Sequence, residues 1–461
     1  MADFFQHGAI ATMHNLSKRS VEDLEADLLK FSQKRRLGLI LPTLFSELES
    51  DALHHIVEEL QQVSYLAEIV IGLDCADKEQ WRYAHHYFSR LPQNHRILWN
   101  DGPRLQGLDK DLAKQGLAPR ERGKGRNVWY CLGYVMASQT CDAVALHDCD
   151  ITTYDRALLA RLLYPVANPR FDYRFCKGYY ARASNNQLKG RVTRLLVTPL
   201  LRALKLTVGS TEYLEYLDNF RYPLSGEFSL QTRIIPGLRI PSDWGLEIGI
   251  LSELQRNHAS RGICQAEILD IYDHKHKSIS AEDQASGLSK MSIDITKAFF
   301  RKLAIHGHVL NSETFRTIKA TYYRTALDLV EMYQNDAIMN GLDFDRHAEE
   351  SAVEIFADCI MEAGKVYMAN PKETPFIHCW ERIQSASPDF LTRFTKAVEL
   401  DNLEAGISDY EKPRVVKAET LPPQTLLSEV VTPVTLPAKT LSEDPHDGLN
   451  IAENTSATQL S

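Results

Sequence analysis

Long apolar runs are missing from this sequence. No stretch approaches the roughly 18 consecutive apolar residues that a membrane-spanning helix needs. The N-terminal stretch MADFFQHGAIATMHNLSKRS also lacks the basic region and apolar core of a secretory signal peptide. These absences predict a cytoplasmic protein that has no membrane partner.

Paired cysteines and an excess of basic residues are missing as well. The eight cysteines are scattered and form no CxxC pair, which argues against structural zinc and a disulfide framework and favours a reducing compartment. The formal charge is −9, from 61 acidic and 52 basic side chains. Because no basic face is implied, nucleic acid is not an expected partner.

Short apolar runs alternate with amphipathic stretches near the start of the chain. Buried strands are predicted at 36–44, 66–74 and 95–101, with helices between them that have an apolar face at 3.6-residue spacing. This alternation is typical of βαβ units and a mostly parallel sheet. Because such sheets bind ligands where their strands end, the carboxyl edge is the expected site.

Two carboxylates follow the next predicted strand, 143–146. Asp148 and Asp150 lie one residue apart just past its end, and carboxylates are hard ligands suited to Mg²⁺ or Mn²⁺ shared with phosphate oxygens. A calcium loop is disfavoured, because its sixth position would be Thr153 and its twelfth Leu159. The alternative is that the acids merely cap the following helix.

A polar segment with four glycines, 102–123, precedes this strand and is predicted to be a long, mobile, functional loop. It leads to Lys124, Gly125 and Arg126 at the start of a predicted helix, whose free N–H groups favour anions. The spacing of a Walker loop is absent. The segment is therefore either a phosphate-binding element or a flexible basic loop.

Three later positions carry side chains with suitable chemistry. At 190–193, a glycine, an arginine and a threonine open a helix and suit a phosphate or carboxylate. Glu247 follows a turn and either accepts a hydrogen bond from a sugar hydroxyl or interacts with the helix dipole. His274 and His276 follow a strand, where they are either solvated or provide a third metal ligand.

Four regions are predicted along the chain. Residues 1–35 form an N-terminal helical segment, and residues 36–283 form the catalytic domain. Residues 284–407 form a helical extension that packs on the core or makes the interface of a homodimer. From 408 onward, prolines are interspersed with Thr, Ser and Glu without periodicity, which is typical of a disordered tail.

Seven short segments between about residue 37 and residue 280 occur together in one known family. They are LPTLFSE (41–47), GKGRN (123–127), DCD (148–150), GRVT (190–193), PLSGE (223–227), DWGLEIG (243–249) and YDHKH (272–276). With these motifs the chain resembles the GT-A glycosyltransferases, and within them the glucosyl-3-phosphoglycerate synthases and their mannosylglycerate-synthase-like relatives. The resemblance implies an α/β fold with a Rossmann-like, mostly parallel central sheet flanked by helices.

The resemblance also implies a role for each matching residue. The implied catalytic residues are Lys124, Asp150 and Glu247, and Asp150 and His274 are the implied ligands of Mg²⁺ or Mn²⁺. The implied acceptor site comprises Gly190, Arg191, Val192, Thr193 and His276. The implied donor site comprises Pro42, Glu47, Asp74, Lys124, Asp148, Cys149, Trp244, Gly245, Leu246 and Glu247.

The implied activity is metal-dependent, retaining transfer of a hexose from a nucleoside-diphosphate sugar to a small anionic hydroxy acid. Glucose and 3-phosphoglycerate are the expected pair. The chain departs from the synthases at Tyr272, where they have arginine, and at His276, where they have asparagine, so glycerate is an alternative acceptor. Three further functions fit the same motifs: a GDP-mannose-dependent synthase of the mannosylglycerate type, a transferase that extends a polysaccharide, and a non-catalytic nucleotide-sugar-binding protein.

Overall fold

The computed structural model describes residue 6 and residues 8–274, 281–372 and 375–405. The predicted tail from 408 and the predicted acceptor residue His276 lie outside the described residues. The first elements are β1 (Ala11–Met13), α1 (Val21–Ser32), β2 (Leu37–Leu44), α2 (Asp51–Leu60), β3 (Leu66–Asp74), α3 (Lys78–Phe88), β4 (His95–Trp99), α4 (Pro103–Lys114), α5 (Lys124–Ser138) and β5 (Ala143–Leu146).

After the acidic pair, the middle of the chain contains α6 (Arg156–Ala167), β6 (Phe175–Ser184), β7 (Gln187–Leu188), a π-helix (Val192–Val197), α7 (Thr198–Val208), α8 (Glu212–Asp218), β8 (Phe228–Gln231), β9 (Ile240–Pro241), α9 (Leu246–Asn257) and β10 (Ile263–Tyr272). The last elements are α10 (Ala281–Ile305), α11 (Ser312–Met339), α12 (Arg346–Ala369), β11 (Phe376–Ile377), α13 (Trp380–Ala386) and α14 (Phe390–Glu404).

One mostly parallel sheet organises these elements. Its strand order is β1, β10, β6, β8, β5, β2, β3, β4, and β7 pairs with β6. On one side of β8, the strands β1, β10 and β6 pair in parallel, and on the other side β5, β2, β3 and β4 do so. The strand β8 itself runs antiparallel to both β5 and β6. A separate antiparallel pair joins β9 and β11. The predicted α/β fold with a mostly parallel central sheet is confirmed.

Two apolar cores lie on the two faces of this sheet. In β2, Leu39 and Leu41 face the core formed with α1, α2, α3 and α6. The intervening Ile40 faces the second core, to which α5 and the C-terminal helices contribute. Strands buried on both faces are near-continuous apolar runs, which is why they stand out in the sequence. In the described ranges, no helix combines the length and hydropathy that crossing a membrane requires.

The prediction of a mobile loop at 102–123 is wrong for the first half of this segment, which forms α4. Pro103 occupies the first turn, where its missing N–H costs nothing. Leu105, Leu108 and Leu112 are spaced three and four residues apart and are buried in the core. This apolar face outweighs the destabilising effect of Gly107 within the helix.

The free edge of β4 is covered by α14. The side chain of Asn402 accepts a hydrogen bond from the Ile97 N–H at 3.1 Å and donates one to the Ile97 carbonyl at 2.9 Å. Asn402 therefore satisfies the backbone of an edge strand as a neighbouring strand would. The region boundaries at 35, 283 and 407 stay a prediction, while α14 lies beside a strand of the predicted catalytic domain.

The segment before α7 winds as a π-helix. Pro199 has no N–H with which to donate to the Leu195 carbonyl in an α-helical pattern, and the hydroxyl of Tyr322 in α11 donates to that carbonyl at 2.6 Å. Turns of this kind often occur at functional sites. Here the widened turn immediately follows Gly190 and Arg191, the start of the predicted acceptor segment.

Candidate active site

The predicted functional residues collect at the carboxyl edge of the sheet. Asp148 and Asp150 follow β5, and Asp74 is the last residue of β3. Because β8 runs the opposite way, Glu227, which precedes it, lies at the same edge. The crevice outside this edge is where open α/β sheets bind ligands.

A compact ion cluster forms around Lys124. Its Nζ lies 2.6 Å from Asp148 Oδ1 and 3.7 Å from Glu247 Oε1. Burial lowers the pKa of Lys124, but the charges of Asp148 and Glu247 outweigh this effect and hold the pKa above its ordinary value. Burial raises the pKa of Asp148, yet Lys124 outweighs it and keeps that pKa low. Lys124 is thus a protonated cation at the sheet edge.

Glycines make this cluster geometrically possible. Gly123 has φ +141°, a conformation that favours glycine, and it places Lys124 at the start of α5. A Cβ on Gly226 would lie 2.6 Å from Asp148 Oδ2 and 2.7 Å from Lys124 Nζ. The Ser-Gly-Glu segment at 225–227 therefore needs its glycine so that the backbone can approach the ion pair closely.

Asp150 and His274 are brought together by backbone pairing. Ile151 and His274 form an antiparallel bridge, and the Thr152 N–H donates to the Asp273 carbonyl at 2.9 Å. As a result, His274 Nδ1 lies 3.5 Å from Asp150 Oδ2. Burial, followed by the charges of Asp148 and Glu47, raises the pKa of Asp150 to about 7.

The chemistry of this pair fits a divalent cation. A carboxylate oxygen and an imidazole nitrogen are both ligands for such ions. After burial, the negative charges of Asp148 and Glu47 contribute to the raised pKa of Asp150, and a cation would offset them. Across the described ranges, no group of three or more His, Cys, Asp or Glu side chains is arranged to hold a metal. A cation here would therefore complete its coordination with water and ligand oxygens.

The residues predicted to border the nucleotide surround the same edge. Pro42 lies beyond the part of β2 that pairs with β5, so its missing N–H breaks no bond there. Asp74 accepts a hydrogen bond from Asn100 Nδ2 at 2.8 Å. Glu47 is buried, and its Oε2 has no hydrogen-bond partner among the described residues. Cys149 is also buried, with Sγ 3.1 Å from Thr43 Oγ1.

The turn before α9 positions the remaining predicted donor residues. The Gly245 N–H donates to Asp243 Oδ1 at 3.0 Å, which fixes the turn. Trp244 is 52% exposed, and Leu246 is buried in the core. Glu247 stands in the first turn of α9 and reaches Lys124.

The predicted acceptor segment is held by a carboxylate from the C-terminal region. Gly190 has φ +73° and opens the turn. Glu349 of α12 accepts from Arg191 Nε at 3.1 Å and from Arg194 Nη1 at 2.8 Å. Within the described part of the chain, the buried Thr193 Oγ1 has no hydrogen-bond partner. Val192 begins the π-helix.

Two buried polar residues of the site, Glu227 and Lys177, were assigned no role from the sequence. Glu227 is fully buried and accepts hydrogen bonds from Tyr180 at 2.6 Å and Tyr272 at 2.9 Å, whose rings stack with centroids 3.9 Å apart. Lys177 is buried and donates to the Ser225 carbonyl at 2.6 Å. Burial lowers the pKa of Lys177 to about 8, although Glu247 and Glu227 favour its charged form. A lysine inside the apolar strand FCKGYY was the available signal.

The relatives of this α/β protein identify its class as a nucleotide-sugar-dependent glycosyltransferase. Glucosyl-3-phosphoglycerate synthase of Persephonella marina is 44% identical over 402 residues, which cover 87% of this chain and 99% of that protein. The synthase of Methanococcoides burtonii is 37% identical over 406 residues, covering 87% and 98%. The chain belongs to the glucosyl-3-phosphoglycerate synthase family.

Two further comparisons complete these findings. No protein-family model matches the chain. Among solved structures, glucosyl-3-phosphoglycerate synthase from Mycobacterium tuberculosis in complex with phosphoglyceric acid is 20% identical, with a TM-score of 0.47, covering 64% of this chain and 87% of that one. The same enzyme has been solved with Mn²⁺, uridine diphosphate and glucosyl-3-phosphoglycerate, at a TM-score of 0.47.

Proposed function

We propose that this protein transfers glucose from UDP-glucose to the hydroxyl of 3-phosphoglycerate, with Mg²⁺ or Mn²⁺ as cofactor. The observation that carries the proposal is that the two relatives covered almost end to end bear the same name, glucosyl-3-phosphoglycerate synthase. The arrangement of Lys124, Asp148 and Glu247 beside Asp150 and His274 supports it.

The donor occupies the carboxyl edge in this proposal. Oε2 of Glu47, which has no hydrogen-bond partner in the described ranges, and the carboxylate of Asp74 are acceptors for hydroxyl or N–H groups of the nucleotide. Glu247 accepts a hydrogen bond from a sugar hydroxyl, and the exposed Trp244 covers the sugar. A divalent cation held by Asp150 and His274 would neutralise charge on the diphosphate.

The protein's own contribution is positioning and electrostatics. Lys124 remains protonated, so it stabilises negative charge as the diphosphate departs. Asp148 and Glu247 form ion pairs with Lys124, and Glu227 accepts hydrogen bonds from two tyrosine hydroxyls. Because these interactions engage their oxygens, all three carboxylates are weak nucleophiles. We therefore favour a same-face displacement with retained configuration, in which the leaving diphosphate accepts the proton of the acceptor hydroxyl.

A matrix of donors and acceptors tests this function. UDP-glucose, GDP-glucose, UDP-mannose and GDP-mannose are each combined with 3-phosphoglycerate, glycerate or a polysaccharide primer, with Mg²⁺ or Mn²⁺. The expected result is the highest kcat/KM for UDP-glucose with 3-phosphoglycerate. Preference for GDP-mannose and glycerate would indicate a mannosylglycerate-type synthase, and preference for the primer would indicate a polymer-directed transferase. Absence of all turnover would contradict the enzymatic function.

The compartment and the oligomer are part of the same proposal. All eight cysteines are free, which supports a cytoplasmic location. Ile305, Val309, Ile338 and Met339 in or beside α10 and α11 are exposed apolar residues, which supports the helical extension as the interface of a homodimer. Light scattering of the purified protein tests the dimer, and a monomeric mass at micromolar concentration would contradict it.

A further inference from the structure

Arg182 of β6 carries a guanidinium that has no counter-ion among the described residues. Its Nη1 donates to the Tyr222 hydroxyl at 3.3 Å, and its Cζ lies 5.7 Å from the centroid of the Tyr272 ring. Its Nε is buried and lacks a hydrogen-bond partner in the described part of the chain. A partly buried guanidinium that has an unsatisfied Nε and no nearby carboxylate is costly, so this environment suits an anionic ligand.

This guanidinium lies at the start of the proposed acceptor segment. The Lys189 N–H donates to the Arg182 carbonyl at 2.9 Å. A Cβ placed on Gly190 would lie 3.6 Å from Arg182 Cδ and 3.3 Å from the Tyr222 hydroxyl. Gly190 therefore keeps the space beside Arg182 and Tyr222 open. The turn that follows leads to the Thr193 hydroxyl, which no described residue hydrogen-bonds.

The other two guanidinium groups at this turn are already engaged. Arg191 and Arg194 both bind Glu349, and Arg194 does so through two nitrogens at 2.8 and 3.2 Å. Of the three arginines among the described residues of the turn, two therefore bind the carboxylate of Glu349. Within that described set, Arg182 is the arginine with no ion pair. A ligand can therefore neutralise its charge without breaking an existing ion pair.

We propose that Arg182 binds the phosphate of the acceptor and sets the preference for a phosphorylated hydroxy acid over its unphosphorylated counterpart. The inference rests on the proposed function and deepens it. Arg182 presents Nε and its second terminal nitrogen to phosphate oxygens, which matches the fork geometry of guanidinium–phosphate pairs. Tyr222 accepts from Arg182 and has its own proton available for another phosphate oxygen.

The test compares acceptors in Arg182→Gln, Arg182→Lys and the control Arg174→Gln. Arg174 precedes the opposite end of the same strand, where its side chain packs against Gly262, so the control matches the charge change. Loss of a charged hydrogen-bonding group should raise the KM for 3-phosphoglycerate about 10- to 100-fold in Arg182→Gln. The KM values for UDP-glucose and for glycerate should stay within about twofold. Arg182→Lys should recover part of the loss.

Calorimetric binding of 3-phosphoglycerate without donor separates this inference from the proposed function. If the wild-type protein binds 3-phosphoglycerate and Arg182→Gln does not, the inference holds even where the matrix of substrates identifies another reaction. Equal loss for 3-phosphoglycerate and glycerate would assign Arg182 a structural role and overturn the proposal. Unchanged binding in Arg182→Gln, or no binding by the wild-type protein, would overturn it too.

Discussion

Replacing Gly226 with alanine should impair the site while leaving the fold intact. The new Cβ would stand 2.6 Å from Asp148 Oδ2 and 2.7 Å from Lys124 Nζ, so one of these side chains must move. Both neighbours are the ends of flexible side chains, with 29% and 35% of their side-chain surface exposed. The movement breaks the 2.6 Å contact between them rather than displacing the backbone.

The size of the effect follows from that contact. A hydrogen bond to a charged group contributes about 1.5–3 kcal/mol, and partial exposure places this pair in the lower half of that range. A loss of about 1.5–2 kcal/mol corresponds to a decrease of about 10- to 30-fold in kcat/KM for the donor. Steady-state kinetics with varied UDP-glucose measures this decrease, and thermal unfolding monitors the fold.

Gly107→Ala is the matched control. Gly107 lies in α4 with no atom within 4 Å of its virtual Cβ, so alanine should stabilise the helix by about 0.5–1 kcal/mol and leave the kinetics unchanged. If Gly226→Ala keeps kcat/KM within twofold of the wild-type value, the close approach between Gly226 and the Lys124–Asp148 pair does not contribute to activity.

Three other perturbations test separate parts of the structure. Burial lowers the pKa of His85 to about 4 from 6.5, so the unfolded chain binds more protons between these values and stability falls as the pH drops through that window. His85→Phe should remove up to about 3 kcal/mol of this pH dependence in urea titrations, and an unchanged slope would refute the assignment. Tyr322→Phe should cost about 1–2 kcal/mol of unfolding free energy by losing its bond to the Leu195 carbonyl, whereas Tyr323→Phe, a change at a more exposed neighbour, should cost nothing measurable. Asp150→Ala and His274→Ala should each weaken Mn²⁺ binding in the presence of UDP by at least about tenfold. Electron paramagnetic resonance measures this binding. Full activity of either variant in EDTA-treated buffer would contradict the metal assignment.

Sequence reasoning predicted the strands because they are apolar on both faces. β2 and β3 are largely apolar and β5 is wholly apolar, and acids end β3 and follow β5, so the type of these strands and their shared edge could be predicted. The helix in the first half of the segment 102–123 was not predicted. Its three leucines lie on one helical face, but the glycines and charged residues around them are more typical of a loop.

The partners of the site residues could not be predicted in the same way. Arg191 and Glu349 are 158 positions apart, and only the packing of α12 against the π-helix brings them together. Glu227 reaches the site because β8 runs antiparallel within a parallel sheet, a reversal that a short apolar strand does not signal. Periodicity identifies which face of an element is buried, but it contains no information about which distant element covers it.

The most direct test is a single proton NMR time course with purified protein, UDP-glucose, 3-phosphoglycerate and Mg²⁺. The expected result is loss of the donor's anomeric signal and growth of one new α-anomeric signal together with UDP. The conversion should stop on addition of EDTA and resume with excess Mg²⁺. A β-configured product, conversion that proceeds unchanged in EDTA, or release of free glucose without any acceptor-linked signal would contradict a metal-dependent retaining transfer to 3-phosphoglycerate.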